Sequence, residues 1–265
     1  MSWLYSVGCV MFEIDPLISR YERFRFFDPL AWCRAELWCH LLSTKPFTEV
    51  IVVFSAKEAQ FMYPTDWQEK TIDSGDFTVE SDREVVMKLG EVAVEHKVQN
   101  LLLQGNLRQY RWFLAHRPMM LGQAALTWEP QGFLEHFQFK DLSSAVQDGS
   151  SMSALLCATF AGDVNMVRLL VEQKADVNYR THGLEDLGYT DDLTLLIVAL
   201  RSGQGREMIS ALLEMACDVN VETKYCVNAS TVVRSPEHIE LLLAARADFH
   251  SPVGYLGLLG AEMSL

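Results

Sequence analysis

The side chains best suited to chemistry lie close together, in Trp32-Cys33-Arg34-Ala35-Glu36-Leu37 and the nearby Cys39 and His40. Thiols with an imidazole could hold zinc, and a thiol beside a histidine could act as a nucleophile. Structural zinc requires paired ligand spacing, which Cys33, Cys39 and His40 lack. Nothing in the sequence positions a histidine on Cys33, so these thiols read as small apolar groups beside a helix. Glu36 remains as the one catalytic candidate, a carboxylate on the polar side of that helix. Gly254, Gly257 and Gly260 stand three apart but follow no strand and open no phosphate-binding helix, so they read as a terminal cap. Phe24, Phe26, Phe27 and Trp32 interleave with Arg20, Arg23 and Arg25, a combination that could grip single-stranded nucleic acid. At this spacing it reads better as a core edge with arginine stems laid along it.

Several elements must position these groups. Residues 31–42 form a helix whose apolar side is Leu37, Trp38 and Leu41. The β-branched run 50–55 (VIVVFS) predicts a buried strand, and residues 3–12 a second one. Residues 56–80 are mostly polar, with turn signals at Pro64 and Ser74-Gly75-Asp76, and predict a long exposed loop. Ser81-Asp82-Arg83-Glu84 has the form of a capping box opening an amphipathic helix to about Leu103. Gly105-Asn106 ends it, and a further helix runs to His116. Residues 119–147, with Gly122, Pro130 and Gly132, read as a helical junction.

The second half is written in a repeated phrase. MVRLLVEQKADVN (166–178) returns as MISALLEMACDVN (208–220) and again as HIELLLAARADFH (238–250). Such recurrence predicts a repeat architecture, in which one unit cannot bury its apolar face alone and neighbours must stack. Met166, Val167, Leu169, Leu170 and Val171 give a helix with a broad apolar face, and Asp176 and Asn178 suit the turn that stops it. A shorter helix through Ala154, Leu155 and Ala158 precedes it, closed by Gly162, where a left-handed residue costs least.

These residues resemble the ankyrin repeat. Ser153-Ala154-Leu155-Leu156-Cys157-Ala158-Thr159 stands where that family has Thr-Pro-Leu-His-x-Ala-Ala, and Lys174-Ala175-Asp176-Val177-Asn178 where it has Gly-Ala-Asp-Val-Asn. The second copy matches through residues 194–200, Gly203 and 216–220, whereas the third keeps a sound second helix from Ser235-Pro236-Glu237 but only a stub of a first one. The resemblance spans roughly 148–260, and THGLEDLGYTDD (181–192) is a polar insertion between the first two copies. It implies partner contact through hairpin tips and the exposed side of the first helices. Phe160, Gln173, Arg180, Asp191, Arg201 and Glu222 occupy such positions, with Phe160 either an aromatic anchor or packed against the insertion.

Residues 31–55 are similar to a different family. Trp32-Cys33-Arg34-Ala35-Glu36-Leu37 followed by VIVVFS resembles the Trp-Cys-x-x-Glu-Leu helix and last strand of Toll/interleukin receptor (TIR) domains. In the enzymatic members the box glutamate supports cleavage of the glycosidic bond of NAD, which would make Glu36 the carboxylate that steadies positive charge on the ribose. A TIR domain needs several strand–helix units before this box, and 31 residues precede Trp32 here.

Composition bounds the rest. Residues 141–265 carry 17 acidic and 8 basic side chains within a chain of net charge −13, which opposes nucleic acid as a partner. The six cysteines show no framework spacing and the start lacks a basic leader, as expected for a cytoplasmic protein. No apolar run reaches the length of a membrane helix. The expectation is an α+β fold: an N-terminal α/β segment over 1–118, the junction over 119–147, and a mostly α-helical ankyrin-type solenoid over 148–265. Its function would be protein–protein binding by a non-enzymatic scaffold, a monomer without cofactor, metal or membrane contact. The alternative is a TIR-like NAD-cleaving enzyme or remnant using Glu36.

Overall fold

The structure is a computed structural model that describes residues 11–13, 31–43, 50–55, 58–62, 68, 71–215, 217–233 and 235–249. Cys9, most of the strand expected over 3–12, the cluster of Phe24, Phe26 and Phe27 with its arginines, and Gly254–Gly260 lie outside them, as do the side chains of Trp32 and Cys33. The chain divides into two compact units, one of residues 1–105 with 119–123 and one of 106–118 with 124–265.

In the first unit, β1 (Met11–Glu13) pairs parallel with β2 (Ile51–Ser55), which pairs antiparallel with β3 (Glu58–Phe61). These strands are three to five residues long, and the described chain as a whole is mostly helical. That falls short of the α/β segment expected over 1–118. Helix α1 (Ala31–Leu41) packs on α2 (Asp82–Leu103). Trp38 and Ala35 of α1 are buried, as are Val86, Val94 and Val98 of α2. Between them α2 carries Gly90, where a Cβ would come within 2.8 Å of Ile72 Cδ1, so only glycine lets the helix approach.

Two local expectations fail here. Ser81 has helical angles (φ −61, ψ −19) and caps nothing with its side chain. An N-cap must sit in the extended region to turn its oxygen back on the helix. Arg83 instead pairs with Glu80 at 2.6 Å and donates to the Asp73 carbonyl at 2.7 Å. The loop expected over 56–80 contains β3 and a pinned turn. Ile72 is fully buried, and the buried Arg34 donates its Nε to the Thr71 carbonyl at 2.7 Å. Burial lowers the Arg34 guanidinium to about 10, against the raising effect of Asp73.

The second unit begins with α3 (Leu107–Met120, its last two residues counted with the first unit) and continues as four helix pairs. They are α4 (Pro130–His136) with α5 (Leu142–Val146), and α6 (Ala154–Ala161) with α7 (Val164–Glu172). After them come α8 (Leu195–Arg201) with α9 (Arg206–Glu214), and α10 (Ala229–Val232) with α11 (Pro236–Ala244). First helices stack on first helices (α6 on α8 on α10) and second on second (α7 on α9 on α11). The residues expected to form a junction thus include a helix pair, α4 and α5, whose short length hides its period from sequence reading.

Capping explains where five of these helices start. Ser153, Thr194 and Asn228 each accept a backbone N–H from the third residue of α6, α8 and α10. Asp163 and Ser235 do the same for α7 and α11. Gly162 ends α6 with φ +75, and Gly203 follows α8 with φ +70, the left-handed turn that glycine permits. Where the repeated phrase has Lys174 and Arg246, the backbone is also left-handed (φ +77 and +61) without glycine. Asp176 and Asp218 then close each unit by accepting the N–H of Asn178 and Asn220 at 2.9 and 3.0 Å.

Candidate functional site

The surface of a helical solenoid is set by what covers its first helices, and here α6 and α8 are covered. All eight residues of α6 are buried, as are six of the seven in α8. A helix apolar all round belongs in a core. Phe160, on α6, is 1% exposed. Its ring lies 4.3 Å from the His116 ring of α3 and 5.0 Å from Tyr189 of the insertion, edge-on to the tyrosine. His116 stacks on Trp112 at 4.1 Å and bonds through Nδ1 to the Trp112 carbonyl at 3.0 Å. The carbonyl can only accept, so Nδ1 carries the proton, and the buried Nε2 has no hydrogen-bond partner. Burial drives the His116 pKa down to about 3, against the raising effect of that carbonyl.

The insertion 181–192 is itself folded. Leu184, Leu187 and Tyr189 are buried, a 3-10 turn spans Glu185–Leu187, and bridges join Arg180 to Thr194 and Leu184 to Tyr189. Arg108 of α3 clamps it: the guanidinium grips both oxygens of Asp186 and donates to the Gly183 carbonyl at 2.7 Å, while Gln109 adds a bond to Asp186 at 3.0 Å. Further along α3, the buried Arg111 donates to the carbonyls of Phe137 at 2.9 Å and Met152 at 3.1 Å, and pairs with Asp148 at 3.0 Å. Its guanidinium lies 3.8 Å over the Phe139 ring, so a desolvated cation is fully compensated. Helix α3 therefore ties the first two helix pairs and the insertion into one body.

The successive loops are stitched together. His182 Nε2 donates to the Gly149 carbonyl at 3.1 Å, leaving Nδ1 to accept from Ser151 Oγ at 3.2 Å, and Tyr179 Oη donates to the Ser150 carbonyl at 3.0 Å. Lys224 N donates to Asp192 at 2.7 Å, and its Nζ lies 3.9 Å from Asp191. Residues 149–151, 179–192 and 222–226 so form a continuous edge. A family model describing ankyrin repeats, three copies, matches residues 123–223, which span α4 to α9. This stretch is an ankyrin-repeat array. No curated protein matches the chain.

The ankyrin residues expected to touch a partner have divided fates. Phe160 is no surface anchor, because the insertion and α3 enclose it. Arg201 is half-buried with its guanidinium 5.5 Å over the Tyr189 ring. Arg180 and Asp191 do lie on the loop edge but are engaged there: Arg180 pairs with Asp192 at 3.4 Å, and Asp191 accepts the Gly183 N–H at 2.8 Å. That bond holds the Asp191 carboxyl below its usual range. Glu222 is exposed in the last loop and Gln173 at the end of α7. Sequence reasoning passed over Tyr225, an aromatic 43% exposed on the same edge with Lys224 Nζ 4.9 Å over its ring. Its only signal was an aromatic in a polar loop.

Glu36 stands exposed on α1. Burial raises the Cys39 thiol, as does the nearby Glu36, and burial takes Cys217 up to about 12 and Cys157 still higher. Cys226 is raised by its hydrogen bond with Glu222. Among the described residues no group of three or more His, Cys, Asp or Glu could hold a metal ion, and no helix is long and apolar enough to cross a membrane.

Proposed function

We propose that this protein is a non-enzymatic binding scaffold that engages its partner through the loop edge of the ankyrin array, with Tyr225 as anchor. Ankyrin repeats generally mediate binding to other proteins, which supports the class of function. The observation that supports the finer reading is the burial of α6 and α8, which withdraws these first helices as a partner face and leaves the stitched loops open to one. With Asp186 taken by Arg108, Glu185, Asp191, Asp192 and Glu222 outnumber Arg180 and Lys224 on that face, so a partner presenting lysine or arginine complements it. The free Cys39, Cys157, Cys217 and Cys226 fit a reducing, cytoplasmic setting.

Capture of partners on the immobilised full chain, compared with Tyr225→Ala and Glu222→Arg, tests this. Both variants should lose the partner, Tyr225→Ala by about tenfold or more. A partner retained by both and lost on substituting exposed Glu172 of α7 would move the site to the second helices. The rival NAD-cleaving reading predicts NAD consumption that disappears in Glu36→Ala; the scaffold reading predicts no consumption by either protein.

A further inference from the structure

The insertion 181–192 joins the array through a narrow neck. There Thr181 N donates to the Leu193 carbonyl at 2.9 Å, Asp192 N to the Thr181 carbonyl at 2.7 Å, and Thr181 Oγ1 to the Thr190 carbonyl at 2.9 Å. Beyond the neck the loop bonds to itself: Leu187 N and Tyr189 N both reach the Leu184 carbonyl, and Gly183 N reaches Asp191. Among the described residues, no backbone–backbone bond joins 182–191 to another element. A loop with its ends together and its bonds inside can lift as one piece and leave the helices intact.

The seat under this strap is closed loosely. Trp112 Nε1, His116 Nε2 and the Oγ1 of Thr190, next to Tyr189 in the chain, are buried without a hydrogen-bond partner. An interface shaped to stay shut pairs such atoms. The clamp itself stands partly in solvent, with Arg108 33% and Asp186 45% exposed, so water competes with it. What the strap inserts shows what the seat accepts. Arg108 takes the Asp186 carboxylate through two nitrogens. Three residues on, the Tyr189 ring lies edge-on to Phe160, with the Arg201 guanidinium 5.5 Å over it. The strap is itself acidic, with four carboxylates in twelve residues and no lysine or arginine. We infer that the insertion is an autoinhibitory strap, occupying in cis a seat for an acidic partner segment that carries an aromatic residue three positions after a carboxylate. Lifting the strap opens that seat to the partner. Tyr225 and Glu222 take no part in it, so it stands apart from the loop edge. At the about millimolar effective concentration of a short tether, the closed strap outcompetes a free segment until the clamp is loosened.

The probe is a fluorescein-labelled peptide of residues 181–192, titrated with the full chain and read by anisotropy. Asp186→Lys, which sets a cation against Arg108, should release the strap and bind the peptide at least about tenfold more tightly than the wild type. Exchanging Asp186 or Tyr189 of the peptide for Ala should each lose that capture, as should Arg108→Ala added to Asp186→Lys in the chain. A second measurement needs no loosened clamp. Thr190→Cys puts a thiol in place of the buried hydroxyl. Its alkylation, located by mass spectrometry, should run at least about tenfold faster than hydrogen exchange of the α8 amides. Alkylation no faster than that exchange would overturn the inference, because the strap then opens only when the array unfolds. So would an Asp186→Lys chain that folds, by its urea transition, yet takes the peptide no better than the wild type.

Discussion

Helices α6 and α2 both carry apolar residues on more than one side, and the protein treats them oppositely. Helix α6 buries all eight residues, between α5, α7 and α8 and beneath His116 and Tyr189. Helix α2 buries one face against α1, Ile72 and Leu121 and leaves Val85, Leu89, Val92 and Leu103 in solvent. The difference lies in supply of neighbours. The array brought its own cover, a clamped insertion and the helix before it, and so turned a face that repeat proteins usually offer to partners into core. Among the described residues α2 has no such cover, and Val85, Leu89, Val92 and Leu103 stay in contact with water.

That contrast can be broken most sharply at Phe160. Phe160→Ala should cost about 3–5 kcal/mol, read from urea denaturation, because it removes a ring from a filled core. Leu89→Ala, on the exposed stripe, should stay within about 0.5 kcal/mol. Equal effects would mean that the insertion does not hold the ring. His116 gives the same region a pH signature. Its folded pKa of about 3 lies below the ordinary 6.5, so the unfolded chain takes up the proton first and stability falls as pH drops from 6.5 towards 3. Denaturation of His116→Phe over that window should show a shallower loss than wild type.

Smaller effects sharpen the inner face of α2 and the strap over α6. Gly90→Ala should cost about 1–3 kcal/mol, since the new methyl would lie 2.8 Å from Ile72, and Ile72→Ala in the same chain should recover part of it. Asp186→Ala should cost no more than about 1 kcal/mol, because Arg108 and Asp186 are both partly exposed and solvent screens the pair. Its clearer readout is hydrogen exchange, faster over 181–192 and unchanged in α9.

How much of this was legible in sequence differs by element. The repeated phrase carries its own evidence: Asp176 and Asp218 close their turns, and Ser153, Thr194 and Ser235 cap helices, because capping is a local bond between residues two or three apart. Residues 119–147 read as a helical junction, but α4 and α5 were not legible as a repeat unit because helices of seven and five residues are too short to show a period. The capping box at Ser81 had the right residues but the wrong backbone. Phe160 and Tyr225 could not be ranked, because exposure depends on chain that arrives from far away. For Phe160 that chain is α3, more than 40 residues earlier, and an insertion that composition alone marks as polar.

By itself the sequence determined that the second half is a stack of capped helix pairs, since phrase, cap and turn are each written within about 33 residues. It also determined the helix over 82–103, although not the side of that helix left bare. Only the tertiary structure decided which apolar faces became core. Burial is settled by the partners a face finds: His116 and Tyr189 found α6, while no described residue outside the helix covers Val85, Leu89, Val92 and Leu103 of α2.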